Sequence, residues 1–390
     1  MMASRHGQDA TACALACGRA LLKFISANET GATGSHQTGL YLPKDAAHLF
    51  TEHQATCGQN SEEPLDITWP DGRVTASRVV WYGQGTRSEF RLTRFGRDFP
   101  WFLEERIGDL LVLVPVAEGK AAAFILDHDG DIEDTLSVLG VQIVGTHVVY
   151  ERDATYEPEG ETPCIERERA DFLRGIATFP NTEAMSSRAQ LILDRCVQDF
   201  STLAPDTRLA RLFEQEYALF RAIEERLYGD DIRGPFPSVD RFLETAHTIT
   251  NRRKARAGRS FENHLDYLLH ARSIPHEMRP EIPGRPDIVI PGRAAYENAA
   301  ANPGSVMVVG VKTTCKDRWR QVTHEAPLVQ EKFLVTLQQG ISRAQLNEMY
   351  AAGVSLVVPK HLQKLYPESD MTLLTVADFL EEAAHRASLT

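Results

Sequence analysis

Apolar and polar positions change rhythm twice along the chain. Residues 11–25 mix small apolar residues with Arg19 and Lys23, which predicts an amphipathic helix and not a cleaved leader. Residues 31–39, rich in Gly, Thr and Ser, read as an exposed loop entering a strand at 40–42. Apolar runs at 78–82, 110–116, 122–126 and 141–150 predict further strands, so this first part is mostly β. Residues 152–162, with Pro158 and many acids, read as a solvated linker. The spacing then becomes helical. Asp206 is the expected cap of a helix with the stripe Leu209, Leu212, Phe213, Tyr217, Phe220, Ile223 and Leu227, ending before Gly229, and Ser238 caps the next. After an apolar face of Phe261, Leu265, Leu268 and Leu269, helices alternate with short apolar strands, the order of an α/β core with helical additions before it.

Composition adds limits more than detail. A chain of 390 residues with 43% apolar content is long enough for two domains, each with its own core. No apolar run is long enough to span a membrane, and the six cysteines have neither metal-binding spacing nor disulfide-framework density, so all read as reduced thiols of a cytoplasmic protein. The net charge of −12 argues against a nucleic-acid partner only if it is evenly spread. It is not. The acids of residues 127–161 are opposed only by Arg152, whereas Arg252, Arg253, Lys254, Arg256 and Arg259 form a basic run, read either as a phosphate-contacting face or as a solvated helix end.

The chemistry concentrates between two strands. Pro286 and Asp287 open the run 288–290, and the run 306–311 delivers Lys312. A carboxylate and a lysine at neighbouring strand ends are what phosphodiester hydrolysis needs: oxygen ligands for a divalent ion beside the phosphate, and a fixed cation to position water and offset developing charge. In the usual motif an acid stands two positions before the lysine, on the same strand face. That position here is Gly310. The second carboxylate is then expected from Glu325, on a polar segment able to fold back over the strand end, or from Glu262. Just beyond Lys312, Arg318 has the fork to bind O6 and N7 of guanine and Asp317 can accept from cytosine N4, with Arg320 on phosphate; the competing reading is a local ion pair.

Residues 256–262 (RAGRSFE), Pro286-Asp287 and above all 311–321 (VKTTCKDRWRQ) resemble the catalytic domain of EcoRII-type (type IIE) restriction endonucleases. The likeness continues through 336–342 (TLQQGIS) and 353–359 (GVSLVVP), and reaches the N-terminus in 26–41 (SANETGATGSHQTGLY) and 91–97 (RLTRFGR). Residues from about 118 to 188 match poorly or not at all.

The resemblance implies an α/β catalytic domain of the PD-(D/E)XK restriction-endonuclease-like fold, preceded by a mostly β DNA-binding pseudobarrel. The corresponding division is residues 1–163 for an effector-binding, autoinhibitory domain, 164–180 for a linker and 181–390 for the nuclease. It implies Mg2+ on Asp287 and Glu325, Lys312 at the attacking water, Glu262 in support, and Lys316, Asp317, Arg318 and Arg320 on DNA, reading the outer C·G pairs of a CC(A/T)GG-like pentanucleotide. In the effector domain it places Lys23, His36, Tyr41, Arg87, Glu89, Arg91, Arg94 and Arg97 on a second copy of the site; the other reading of that group is a salt-bridged hairpin. Phe90 departs from the pattern: relatives are expected to carry a basic residue there, so one phosphate contact of the family is not implied for this chain. Implied partners are double-stranded DNA, a second copy of the chain and a protective cytosine methyltransferase. The alternative from another class is a DNA-binding regulator that does not cleave.

Overall fold

The computed structural model describes residues 5–33, 39–96, 99–152, 154, 160–300 and 302–389. It contains two compact units, the first being Met1–Ala154 with Gln338–Tyr350 and Leu362–Met371, the second the remainder of the chain. Helix α1 (Arg5–Cys17) opens the first unit. Strands β1 (Arg19–Phe24), β2 (Leu40–Leu42), β3 (Ser61–Thr68), β4 (Val74–Tyr82), β5 (Glu89–Thr93), β6 (Leu110–Ala117) and β7 (Lys120–Leu126), helix α2 (Asp129–Leu139) and strand β8 (His147–Glu151) follow.

The eight strands form one sheet in the order β2-β5-β4-β3-β7-β6-β1-β8. It curls towards closure: Lys23 of β1 lies 5.7 Å from the ring centroid of Tyr41 on β2, and His147 of β8 bonds Asp45, just past β2, at 2.8 Å. Closure hides edge groups that would otherwise pair with other chains. Two apolar layers fill the unit. Leu21, Ile67, Trp81, Phe90 and Leu113 lie in one, and α1 and α2 cover the other through Ala10, Ala14 and Ile132.

Several sequence expectations fail here for physical reasons. The expected helix at 11–25 ends at Cys17, because Gly18 takes φ +72°, a left-handed turn that only glycine adopts cheaply, and the chain leaves it as a strand. The expected strand at 141–150 begins only at His147. The start of the acidic run belongs to α2, which buries Asp129 and Asp131 in its first turn, where carboxylates face the positive end of the helix. Most of residues 152–162, expected as a linker, lies outside the described residues.

The second unit begins with helices α3 (Pro163–Arg174), α4 (Thr182–Cys196), α5 (Pro205–Arg233) and α6 (Val239–Ala271). Ser238 caps α6, its oxygen accepting from the Arg241 N–H. Asp206 does not cap α5. Its carboxylate instead accepts from the N–H groups of Lys360, Val376 and Ala377, at the starts of α10 (Lys360–Gln363) and α11 (Val376–Ala387). Helix α5 also runs through Gly229 to Arg233, since a glycine costs a long helix only about 1 kcal/mol. Cys164 and Cys196 form a disulfide between α3 and α4, so not all six cysteines are the reduced thiols expected. Their 32-residue separation carries no pattern; only the packing of the two helices brings them together.

The rest of the second unit is the α/β core: β9 (Glu277–Met278), β10 (Ile288–Ile290), α7 (Arg293–Glu297), β11 (Met307–Lys312), α8 (Trp319–Val322), β12 (Lys332–Thr336) and β13 (Val354–Val357); between β12 and β13 the chain contributes α9 (Arg343–Ala351) to the first unit. The sheet order is β13-β12-β11-β10-β9; β11 pairs parallel with β12 and antiparallel with β10. Its middle strands are buried on both faces, as their unbroken apolar runs require.

Candidate nuclease site

The site forms where β10 begins and β11 ends. Ile288 pairs with Val309 in antiparallel register, so one step further Asp287 lies beside Gly310, two residues before Lys312. The Val311 N–H donates to Oδ2 of Asp287 at 2.7 Å, and the Lys312 ammonium donates to the same oxygen at 2.6 Å. Both side chains are largely but not wholly buried, 16% and 19% exposed, which leaves an open side for a ligand.

Gly310 explains where the motif's missing acid went. A Cβ at this position would lie 2.7 Å from Cγ2 of Val322, so α8 packs onto the strand exactly where a side chain would stand. The same segment continues to Glu325, held by its N–H bond to the Val322 carbonyl at 3.1 Å. From the other side the Pro283-Gly284 turn presses in. A Cβ on Gly284, at φ +80°, would fall 2.6 Å from Cα of Glu325, and the Ala326 N–H donates to the Pro283 carbonyl.

Electrostatics tie these groups together. Burial pushes the Glu325 carboxyl up from 4.5 to about 7; Lys312 opposes that rise, and Asp287 adds to it. Glu262, on the inner face of α6, is also raised, first by burial and then by the Asp287 charge, against Arg259 and Lys312. Arg259 and Arg279 contact its Oε2 at 3.2 and 3.5 Å. Three carboxylates therefore crowd around one lysine, and Oε2 of Glu325 is buried with no hydrogen-bond partner among the described residues. Such a hard, oxygen-rich and charge-frustrated donor set fits a divalent cation.

Arg279 and Lys332 were not singled out in the sequence. Arg279 has φ +48° and its N–H donates to the Asp287 carbonyl at 2.8 Å; Lys332 is buried at the start of β12, donates to the Ala326 carbonyl at 3.1 Å and faces the Glu325 charge. Isolated basic residues outside any motif gave no signal.

Beyond Lys312 the chain enters α8 through Lys316, Asp317 and Arg318. Lys316 is mostly buried, Asp317 is exposed, Arg318 is partly exposed at the helix start, and Arg320 stacks over Trp319 with 4.6 Å to the ring centroid. The basic run on α6 is open only in part: Lys254 and Arg259 are exposed, whereas Arg253 pairs with Glu224, Arg256 is buried over Tyr217 and Phe220, and Arg252 lies over Phe179.

In the first unit, Tyr41 and Arg91 are cross-strand partners and Glu89 bonds Arg91 at 3.0 Å. Lys23 is buried in an ion pair with Glu29 and so is withdrawn from solvent. Arg87 lies over Tyr82, and Arg94 is exposed with φ +72°. Phe90, the departure from the family pattern, is turned inward by strand alternation, 4.7 Å from Trp81, while Glu89 and Arg91 lie on the other face. His36 and Arg97 lie outside the described residues.

A mixed sheet carrying an acid and a lysine on adjacent strand ends, with further carboxylates folded over them, defines a nuclease of the restriction-endonuclease-like, PD-(D/E)XK fold. The family described as EcoRII C terminal matches residues 220–380, and the EcoRII N-terminal family matches residues 18–153. The chain is 32% identical to the type II restriction enzyme EcoRII of Escherichia coli over 93% of each protein. It therefore belongs to the EcoRII family of type II restriction enzymes. The type II restriction enzyme SsoII of Shigella sonnei is 28% identical over 36% of this chain and 49% of its own length. Among solved structures, a metal-depleted Ecl18kI in complex with uncleaved, modified DNA is similar at a TM-score of 0.44, with 22% identity over 58% of this chain and 83% of its own. A PspGI complex with substrate DNA gives 0.44, with 14% identity over 54% and 95%.

The protein is thus a site-specific deoxyribonuclease, and the reading as a non-cleaving regulator is set aside. The N-terminal match also corrects part of the expectation that residues from about 118 to 188 match poorly or not at all, since it runs to residue 153. No described helix is long and apolar enough to cross a membrane.

Proposed function

We propose that this enzyme is an effector-stimulated type II restriction endonuclease that cuts both strands of DNA at a CC(A/T)GG-like pentanucleotide with Mg2+. The observation that carries the reading is the convergence of Asp287, Lys312, Glu325 and Glu262 at one sheet end, with an unpartnered buried carboxylate oxygen among them. Asp287 and Glu325 are the proposed metal ligands. When bound there, the ion supplies Lewis acidity to the scissile phosphate and lowers the pKa of a water. Lys312 holds that water against Asp287 and offsets charge developing on the phosphorane oxygens. Glu262, braced by Arg259 and Arg279, fixes the outer face of the site. Lys316, Asp317, Arg318 and Arg320 follow Lys312 directly, so the groups proposed to read and grip DNA are set by the strand that delivers the catalytic lysine.

Tyr41, Arg87, Glu89, Arg91 and Arg94, with Lys23 behind them and His36 and Arg97 in the adjoining segments, form the proposed effector site. Glu89 is held by Arg91, which supports a base-reading role for a carboxylate that phosphates would otherwise repel. Control by this domain is supported by the membership of the first unit, which includes Gln338–Tyr350 and Leu362–Met371 from the catalytic half; within it the Gln338 side chain donates to the Gly108 carbonyl at 3.0 Å. Residues 1–163 are proposed as the autoinhibitory domain. A two-fold target calls for a homodimer, and a host carrying the enzyme needs a cytosine methyltransferase to protect its own sites in the cytoplasm.

The test is digestion of DNA of known sequence with Mg2+ or with chelator, followed by mapping of the ends. Discrete fragments ending at CC(A/T)GG sites only with Mg2+ are expected. Nicks alone, or cutting at unrelated sequences, overturn the proposal.

A further inference from the structure

The end of α6 holds a second cluster, separate from the nuclease groups. Asp266 and His270 stand one helical turn apart, and the chain turns back after the helix to set His276 against them. Oδ1 of Asp266 lies 2.7 Å from Nε2 of His276 and 3.2 Å from Nδ1 of His270, which lies 3.0 Å from the Asp266 carbonyl and so leaves Nε2 of His270 as its ligand atom. The two imidazoles cross at 76° with centroids 4.6 Å apart, and one donor atom from each of the three residues falls within 4.8 Å of the others.

The cluster is closed on one side and open on the other. The His276 side chain is 2% exposed and that of His270 is 71% exposed. Nδ1 of His276 lies 2.8 Å from the Ile274 carbonyl, which can only accept, so Nδ1 carries the hydrogen and Nε2 points at Asp266. A carbonyl behind an imidazole is the outer-shell partner that fixes the orientation of metal-bound histidines. Two imidazoles and one carboxylate also suit a borderline first-row ion and not Mg2+, which prefers oxygen ligands throughout.

We propose that Asp266, His270 and His276 form a structural site for a first-row transition ion of the Zn2+ class, with solvent completing the shell on the exposed side. The ion ties the end of α6, which carries Glu262, to the segment entering β9, which pairs with β10 next to Asp287. It thereby braces two walls of the nuclease site without touching substrate.

The full-length protein is titrated with Zn2+ by calorimetry in excess Mg2+, which fills oxygen-ligand sites, and compared with H270A and H276Q. His270 is exposed and its loss leaves the fold intact; His276→Gln keeps a hydrogen-bonding group in the buried position. Expected are one Zn2+ fewer, or affinity about tenfold or more weaker, in both variants, and a zinc-dependent rise in Tm confined to the wild type. Cysteine-bound zinc is common to all three proteins and cancels in the comparison. Unchanged zinc affinity in either variant overturns the three-ligand site and leaves the cluster as an ion-paired turn.

Discussion

Glu325 is the residue at which charge, burial and metal demand meet. Its carboxyl is raised to about 7, by burial first and by Asp287 next, with Lys312 pulling the other way, so below that pH it carries a proton that a divalent ion must displace. Apparent Mg2+ affinity is expected to rise about tenfold per pH unit up to 7 and then level off, as read by calorimetric titration between pH 5.5 and 8.5. The native pKa lies above that of the unfolded chain, so the residue's contribution to stability is full at low pH and lost as pH rises through 7. The metal-free Tm of E325Q, measured against wild type, should therefore gain at pH 8 relative to pH 5; parallel curves would contradict the burial argument. Asp287→Ala and Lys312→Ala should abolish cleavage with specific DNA binding kept in Ca2+, because neither is placed to read a base. Arg318→Ala should lose about 1–3 kcal/mol of discrimination at a G·C pair. Equal losses on cognate and random duplexes would make Arg318 a phosphate contact.

At the scale of elements, the site depends on two glycines that make room for neighbours. Gly284→Ala must push on the backbone of Glu325 and also strain a left-handed φ, whereas the nearest atoms to the added Cβ belong to neither Lys312 nor Asp287. A fall in kcat with metal-free stability reduced by about 1–3 kcal/mol is expected; full activity would mean that the loop yields freely. The helical layer behind the site has its own dependence. Burial alone would raise the Glu216 carboxyl, but His264 at 2.9 Å and the Ser186 hydroxyl at 2.6 Å hold it below the usual range, all three groups being fully enclosed. Glu216→Gln is expected to cost about 3–5 kcal/mol in urea denaturation, since it removes the buried negative charge that His264 and Arg256 face. The wild-type contribution is present above the unfolded carboxylate pKa and lost as pH falls through the lower native value. None of this network was legible in the sequence: Glu216 and His264 are 48 positions apart on helices whose apolar stripes alone were periodic. The strand ends at Asp287 and Lys312 were legible, because uninterrupted apolar runs mark buried strands whichever way they pair.

For the whole molecule, the sequence conveyed a β-rich first part and an α/β second part but not the units as they are built. Apolar periodicity reports which face of an element is covered and not by which stretch of chain, so it gave no sign that Gln338–Tyr350 and Leu362–Met371 belong with the first unit. Nor did it show α3 as part of the helical layer. Ile165 of α3 packs with Ile192 and Leu212, and Cys164 is bonded to Cys196, so a catalytic fragment should begin at Gly160 and not at Asn181, where the loss of α3 would bare those side chains. If the N-terminal domain is autoinhibitory, the fragment 160–390 should cleave a plasmid carrying one target site that the intact enzyme leaves largely uncut. The intact enzyme carrying Arg91→Ala should lose stimulation by added cognate duplex, because Arg91 both faces outward on β5 and holds Glu89. Single-site plasmid cleavage by the two proteins, each with and without added duplex, decides the matter. Equal rates for fragment and intact enzyme would make the N-terminal domain an anchor that adds affinity, with no switch, and a fragment that is folded by circular dichroism yet inactive would show that the first unit completes the catalytic half.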